Sequence, residues 1–348
     1  MMKALSRWFA RFAALAFVLS IACAASADEC KHRGQLDTLY CDEDNDLVAD
    51  VPADPKKWKD PATLVFAYTP VEDPAVYQNV FKPFTEFLAQ CTGKRVVYYP
   101  VQSNSAEIEA MRSGRLHVAG FSTGPTGFAV NMAGAVPFAA KGTAKGPHGY
   151  HLFSIVRQDS PYRKLSDLKG KRVAHTSPSS NSGNLAPLVL YPPEGLKPNE
   201  DYKPLMSGGH DKSALGVLSG DYDMAGVASD VFERMVARGT LKAEDFRTIY
   251  TSPLFPTSSF AHAHDLHPEL AKKTRACFFA FDFPPSMRNE FNGDDRFFPI
   301  TYKTTWKVVR EIAEGSGTPY NKTAYDAETK READALAKKQ QQQQQKPQ

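Results

Sequence analysis

The hydrophobic pattern alternates between short solid runs and helical spacing. ATLVFAY (62–68) is a β-branched and aromatic run of strand length, the mark of a buried strand. YQNVFKPFTEFLAQCTG (77–93) places its apolar residues at helical spacing and ends on Gly93. KRVVYYPV (94–101) predicts a strand, SAEIEAMRSGR (105–115) a short helix with Ser105 as N-cap and Gly114 at its stop, and LHVAGFS (116–122) another strand. This βαβαβ rhythm predicts a mostly parallel sheet with right-handed crossovers.

The rhythm restarts near residue 150. Strands are predicted at 149–158, 171–176, 222–229 and 246–253. Helices fall at 166–170, 183–191, 210–221 (capped by Asp211 or His210) and 231–239. The expected fold class is therefore α/β. No residue-level repeat accompanies the repeated order. Ligands of such sheets sit beyond the carboxyl ends of the strands, and here those ends read Tyr68-Thr-Pro, Ser122-Thr-Gly-Pro-Thr-Gly, Thr176-Ser-Pro-Ser-Ser-Asn-Ser-Gly and Ser229-Asp.

Composition changes the picture at the two ends. Lys3, Arg7 and Arg11 precede the apolar run FAALAFVLSIACA, and Ala25-Ser26-Ala27 is a small-x-small site. Residues 1–27 read as a secretory signal cleaved after Ala27. No other stretch is long and apolar enough to span a membrane. The chain carries 42 Lys+Arg and 39 Asp+Glu. The surplus of three sits in the leader, so the mature part is neutral and offers no electrostatic reason for a nucleic-acid partner. Removing the leader removes Cys23 and leaves Cys30, Cys41, Cys91 and Cys277. An even count in an exported chain favours two disulfides, with Cys30–Cys41 closing a local loop and Cys91–Cys277 tying distant parts together. Residues 28–60 read as an acidic extension wrapped on the body. The Gln-rich stretch 326–348 reads as a disordered tail.

The serine- and asparagine-rich turn SPSSNSGNLAP (177–187) opens an apolar helix. A helix N-terminus leaves unpaired N–H groups and carries about half a positive charge. Ser180, Asn181 and Ser182 can add hydroxyls and an amide, and Gly183 lets the backbone come close. Such a set suits a compact oxyanion held without Arg or Lys; the alternative is an ordinary capped turn. Ser122–Gly127 is a second hydroxyl and glycine loop after a strand.

These blocks, together with SGGHDKSALGVLSGDYDMAGVASD and TSPLFPTSSFAH, resemble the periplasmic substrate-binding component of a phosphonate, phosphite or phosphate ABC transporter. The resemblance runs over residues 62–315. Its strongest part is Ser180, Ser182, Gly183 and Pro187 followed by Gly209, His210, Ala214 and Leu215. It implies a type II periplasmic-binding-protein fold, with two α/β domains, a two-strand hinge near 147–153 and 250–256, and the ligand between them. Domain 1 would be 61–149 plus 254–325 and domain 2 would be 150–253. It also implies that Ser180, Asn181 and Ser182 hold a phosphorus oxyanion, with Thr123 opposite and Tyr68, His210 and Asp230 lining the cleft. The partners would be that anion and a membrane permease, the location the periplasm, and no cofactor would be required.

Three motifs compete. CDEDNDLVAD offers the carboxylates of Asp42, Asp44, Asp46 and Asp50, the first three in D-x-D-x-D spacing like the opening of a calcium loop. Leu47 stands where the sharp turn wants Gly, and no Glu follows at the twelfth position. A structural calcium, a lanthanide and a solvated acidic loop all remain open, and with them a metal-handling function. HAHDLH (262–267) reverses the order of a zinc-hydrolase motif and reads as a turn before a helix. A serine hydrolase would need G-x-S-x-G, which the serine turn lacks.

Overall fold

The computed structural model describes residues 30–72 and 74–344; the leader lies outside them. The chain first builds β1 (Thr63–Tyr68), α1 (Pro74–Val80), α2 (Lys82–Thr92), β2 (Arg95–Tyr98), α3 (Asn104–Arg112), β3 (Val118–Phe121), α4 (Thr123–Ala133), β4 (Ala135–Thr143) and β5 (Gly146–Pro147). It then crosses through β6 (Gly149–Tyr150) into β7 (Leu152–Arg157), β8 (Val173–His175), α5 (Ala186–Leu190), β9 (Leu205–Met206), α6 (His210–Ser219), β10 (Met224–Ala228), α7 (Ser229–Ala237) and β11 (Phe246–Thr251). It returns through β12 (Phe255–Pro256) to β13 (Ser259–Ala263), α8 (Pro268–Phe279), α9 (Pro285–Glu290) and β14 (Arg296–Pro299), and closes with α10 (Tyr302–Thr305), α11 (Lys307–Gly315) and α12 (Lys322–Gln344).

Two sheets result. The first runs β14-β4-β13-β3-β1-β2 with β5 on β4, and the second runs β11-β7-β10-β8-β9. Where consecutive βαβ crossovers were read, pairing is parallel: β1 with β2 and β3, and β8 with β9 and β10. The expectation of mostly parallel sheets is corrected by β13, β4, β14, β7 and β11, which pair antiparallel. The return of the chain causes this, because β13 enters the first sheet from the second lobe and runs against β3. Between the sheets, β6 and β12 form a two-strand antiparallel ladder, Tyr150 opposite Phe255 and Gly149 opposite Pro256. Both crossings therefore sit side by side.

One apolar cluster runs through both lobes, from Phe128 and Phe121 to Leu152 and Val173, and the first sheet has a second one of its own. That second cluster is aromatic and includes Phe66, Phe81, Phe84, Phe260, Phe278 and Phe297. The extension is tied down by Leu36, Tyr40, Val48 and Ala49, which join the core, and by the Asp37 amide, which donates to the Asn131 carbonyl. Disulfides join Cys30 to Cys41 and Cys91 to Cys277. The second links α2 to α8 across 186 residues of chain. Cross-linking so long a loop constrains the unfolded chain. The Cys91→Ser, Cys277→Ser double variant should lose about 2–4 kcal/mol in urea unfolding; an unchanged midpoint would contradict that role.

Local expectations differ at three places. Ser103, not Ser105, caps α3, its hydroxyl accepting from the Ala106 amide at 3.1 Å. Neither Asp211 nor His210 caps α6, whose N-cap is Gly209 with no side-chain cap. Residues 326–344, expected as a disordered tail, continue α12. Tyr325 and Glu328 are buried on that helix, and this packing supplies what composition alone did not reveal.

Candidate functional site

The strand ends of both sheets open onto one cavity of about 350 Å³ between the lobes. Tyr68, Thr123, Ser180, Asn181, His210 and Asp230 line it; Ser182 does not. Ser182 is buried behind the wall, beside the Tyr150 phenol. The turn at 181–185 is wider than an α-turn, so its second side chain points inward rather than toward the cleft.

The cavity is built around two helix N-termini. From the first lobe comes α4, with Thr123 in its first turn. From the second comes the continuous helical segment 181–190. They approach so closely that a Cβ on Gly124 would stand 2.0 Å from the Ser179 carbonyl oxygen and 2.9 Å from the Asn181 nitrogen. Two helix N-termini that meet at the wall of one cavity favour a negative charge there. A Cβ at Gly183 would likewise meet Thr176 Oγ1 at 1.9 Å, so glycine there lets the Thr176 side chain stand against the turn.

The donors at this junction are neutral. Ser180 Oγ accepts from the Gly183 amide at 3.1 Å, which leaves its own proton free to donate. His210 Nδ1 accepts from the Ala228 amide at 3.0 Å, so the hydrogen of the neutral ring sits on Nε2, 3.5 Å from Ser180 Oγ. Burial pushes His210 down to about 4, and the ring is neutral at physiological pH. Lys141, itself buried, donates to the Tyr68 hydroxyl at 3.0 Å. That hydroxyl also meets Ser258 Oγ at 3.0 Å. Thr123 Oγ1 donates to the Pro256 carbonyl at 2.9 Å. Among the described residues, the buried Thr176 Oγ1, Thr257 Oγ1 and Asn181 Oδ1 have no protein partner, and all three residues line the cavity.

Sequence reasoning missed the ionic floor. Arg234 on α7 pairs with Glu72 at 2.9 Å and with Asp230 at 3.0 Å. Arg238 pairs with Glu72 at 2.6 Å and also with Glu290. Burial pushes the Asp230 carboxyl up, but Arg234 and then Lys141 outweigh it and hold Asp230 below its ordinary range. Glu72 behaves alike, with Arg234 and Arg238 outweighing burial. Only the i,i+4 spacing of Asp230 and Arg234 was visible in the sequence; Glu72 comes from the first lobe. Asn104 was also missed. Its Nδ2 donates across the cleft to Ser177 Oγ at 3.4 Å and Ser179 Oγ at 3.3 Å.

The acidic loop is a separate feature. Single oxygens of Asp42, Asp44 and Asp46 lie within 4.8 Å of one another. Asp50 stands outside that group and accepts from the Glu43 amide at 2.7 Å. Asp42 accepts from the Asp46 and Leu47 amides, and Leu47 takes the left-handed conformation, φ 72°, that the turn requires. His262, in the histidine-rich segment, is buried on β13 and accepts from Arg275. No helix of the described residues is long and apolar enough to cross a membrane.

Comparison with known proteins agrees with this geometry. Residues 66–301 match the model of a family described as the periplasmic phosphonate-binding component of ABC transporters. The phosphate-import protein PhnD of Mycolicibacterium smegmatis is 30% identical over 264 residues, covering 72% of this chain and 81% of that one. The phosphonates-binding periplasmic protein of Escherichia coli is 28% identical over 178 residues, half of this chain and 53% of that one. Among solved structures, PhnD1 of Prochlorococcus marinus in complex with methylphosphonate superposes with a TM-score of 0.66 at 20% identity, covering 73% of this chain and 98% of that one. A binding component of a phosphonate transporter from Pseudomonas aeruginosa gives the same TM-score at 21% identity, covering 82% of this chain and all of that one. The fold is thus the type II periplasmic-binding-protein fold, and the chain belongs to the periplasmic substrate-binding proteins of phosphonate ABC transporters.

Proposed function

We propose that this chain captures a small phosphorus oxyanion (a phosphonate, phosphite or phosphate) between its lobes and delivers it to an ABC permease. The observation that carries this reading is the close approach of α4 and the 181–190 segment beside a cavity where the nearest side-chain donors, Ser180 and His210, are neutral. The anion would sit at this junction. Ser180 Oγ and His210 Nε2 donate to it, and Tyr68 and the first amides of the two helices complete the set. A half-turn of the Asn181 amide would let Oδ1 accept the Tyr150 proton and turn Nδ2 toward the ligand. Asp230, kept ionised by Arg234, supplies an acceptor for a donor group on the ligand. Ser182 has no direct part in this assignment.

Ligand contacts from both lobes would bias the β6–β12 ladder toward the closed arrangement, by as much as the ligand prefers that arrangement. The reading is solute capture rather than turnover, and it needs no cofactor. A calcium at Asp42, Asp44 and Asp46 would be structural. Calorimetric titration with calcium tests it: binding that Asp44→Asn removes supports the site, and absence of heat rejects it. Export fits the periplasmic location of the family. We place cleavage after Ala27, which the mass of the secreted protein checks.

Thermal melting against phosphate, phosphite, methylphosphonate, aminoethylphosphonate and sulfate tests the whole reading. A ligand at about 100 times its Kd adds about 2.7 kcal/mol, several degrees of melting temperature. No shift with any phosphorus oxyanion would overturn it. Removing a hydrogen bond to a charged group costs about 1.5–3 kcal/mol, so His210→Phe should weaken the binding ligand by about 10- to 100-fold, and Ser180→Ala by a similar factor. Because His210 stays neutral well below neutrality, its donor should persist unchanged from about pH 5.5 to pH 8. A steep loss of affinity across that range in the native protein, absent from His210→Gln, would contradict the neutral-donor role.

A further inference from the structure

We propose that Glu332, on the C-terminal helix, is a specificity-determining residue that weights the cleft against doubly charged anions. The inference rests on the oxyanion reading above. Glu332 Oε1 accepts from the Asn104 amide at 3.2 Å and Oε2 from the Ser105 amide at 2.9 Å. These are the first amides of α3, where a helix end attracts an anion. The chain fills that place with its own carboxylate, and Glu332 is also part of the cavity wall. Asn104, whose amide it holds, reaches with its side chain to Ser177 and Ser179 in the serine turn. The carboxylate and the proposed anion therefore share one wall.

The other charges of the cavity do not cancel Glu332. Its charged lining is Glu72, Asp230, Arg234, Lys212 and Glu332. Arg234 is committed to Glu72 and Asp230, and Lys212 is exposed on α6. On its own helix, Glu328 pairs with Arg331. On α3, Glu107 is fully buried, neither of its oxygens has a protein partner, and burial pushes its carboxyl well up. A ligand thus meets neutral donors on one side, with Lys141 behind the Tyr68 hydroxyl, and the Glu332 carboxylate on the other. Two charges sharing so small a cavity stay well inside a screening length. At an intermediate effective dielectric, a second negative charge on the ligand should cost on the order of tenfold in affinity.

The test compares one ligand in two charge states. Methylphosphonate, phosphite and phosphate each lose a second proton near neutral pH. The native protein, Glu332→Gln and Glu332→Asp are titrated calorimetrically with these three anions at about pH 5.5 and about pH 8.5. The expected result is that Glu332→Gln tightens the doubly charged form about tenfold and leaves the singly charged form nearly unchanged, while Glu332→Asp keeps the native ratio. Equal changes in both forms would mean that Glu332 merely caps α3, and an unchanged ratio, or the Gln ratio in Glu332→Asp, overturns the inference as well. If the native protein binds none of the three anions, the oxyanion reading itself fails and takes this inference with it.

Discussion

An Arg234→Met protein is expected to unfold at a much lower urea concentration than the native chain, with a loss of about 3–5 kcal/mol at neutral pH. The Arg234 and Glu72 side chains are each only 4% exposed, and Asp230 also leans on the same guanidinium. Methionine fills a similar volume but takes the counter-charge away from both carboxylates. Arg238 still holds Glu72, so the sharper loss falls on Asp230. Removing one partner of a buried pair leaves an uncompensated charge, which explains why the cost exceeds the net worth of the pair.

The pH dependence has a definite sign. In the native fold both carboxyls lie below their ordinary values of 3.8 and 4.5. Their contribution is complete above those ordinary values and is lost as pH falls through the lower folded values. The gap between variant and native should therefore be full at neutral pH and narrow under acid conditions, below about pH 4. An equal midpoint at neutral pH, or a gap that does not shrink in acid, would sink the account.

The second large effect is on binding. Gly124→Ala would place a Cβ 2.0 Å from the Ser179 carbonyl oxygen and 2.9 Å from the Asn181 nitrogen. Both atoms are backbone of the opposite lobe and cannot rotate aside, so the lobes must part. Alanine is otherwise favourable in a helix, so each lobe should stay folded. If the closed arrangement falls to about 1% of molecules, apparent affinity for the oxyanion drops about 100-fold. Small-angle scattering should show a larger radius for the variant, and calorimetry the weaker binding. Affinity within about threefold of native, with an unchanged radius, would show that the close approach plays no part in capture.

The parts of the site legible in the sequence share one property: they belong to a single local segment. Ser180 and Asn181, which line the cavity, were singled out because a polar, glycine-containing turn after a strand and before a helix announces itself within ten residues; Thr123, also in the lining, was singled out through the resemblance. His210 was found through the resemblance, although its role as Nε2 donor depends on the Ala228 amide, eighteen residues away. Ser182 looked equivalent to Ser180, and only the wide turn at 181–185 separates them. Ser103 and Ser105 both precede the apolar positions of α3, and composition gives no reason to choose between them as cap.

Glu72, Lys141, Asn104 and Glu332 carry no local signal. Each sits in a segment whose pattern reads as an ordinary loop, strand or helix; Glu72, Asn104 and Glu332 reach the cleft only because two lobes and a terminal helix meet there, and Lys141 stands behind it on the Tyr68 hydroxyl. The Gln-rich end illustrates the same limit, since α12 is held through Tyr325 and Glu328, which lie before the low-complexity run.

Periodicity and turn chemistry alone determined the α/β class, the repeated βαβ order and the polar, glycine-containing serine turn, because these depend on neighbours within a few residues; the pairing of the cysteines was read from their even count. The antiparallel strands, the buried Arg234 network, the inward turn of Ser182 and the carboxylate at α3 were decided by tertiary structure. Those features join residues tens to hundreds of positions apart, and burial, which sets their charge and hydrogen bonding, exists only once the lobes have packed.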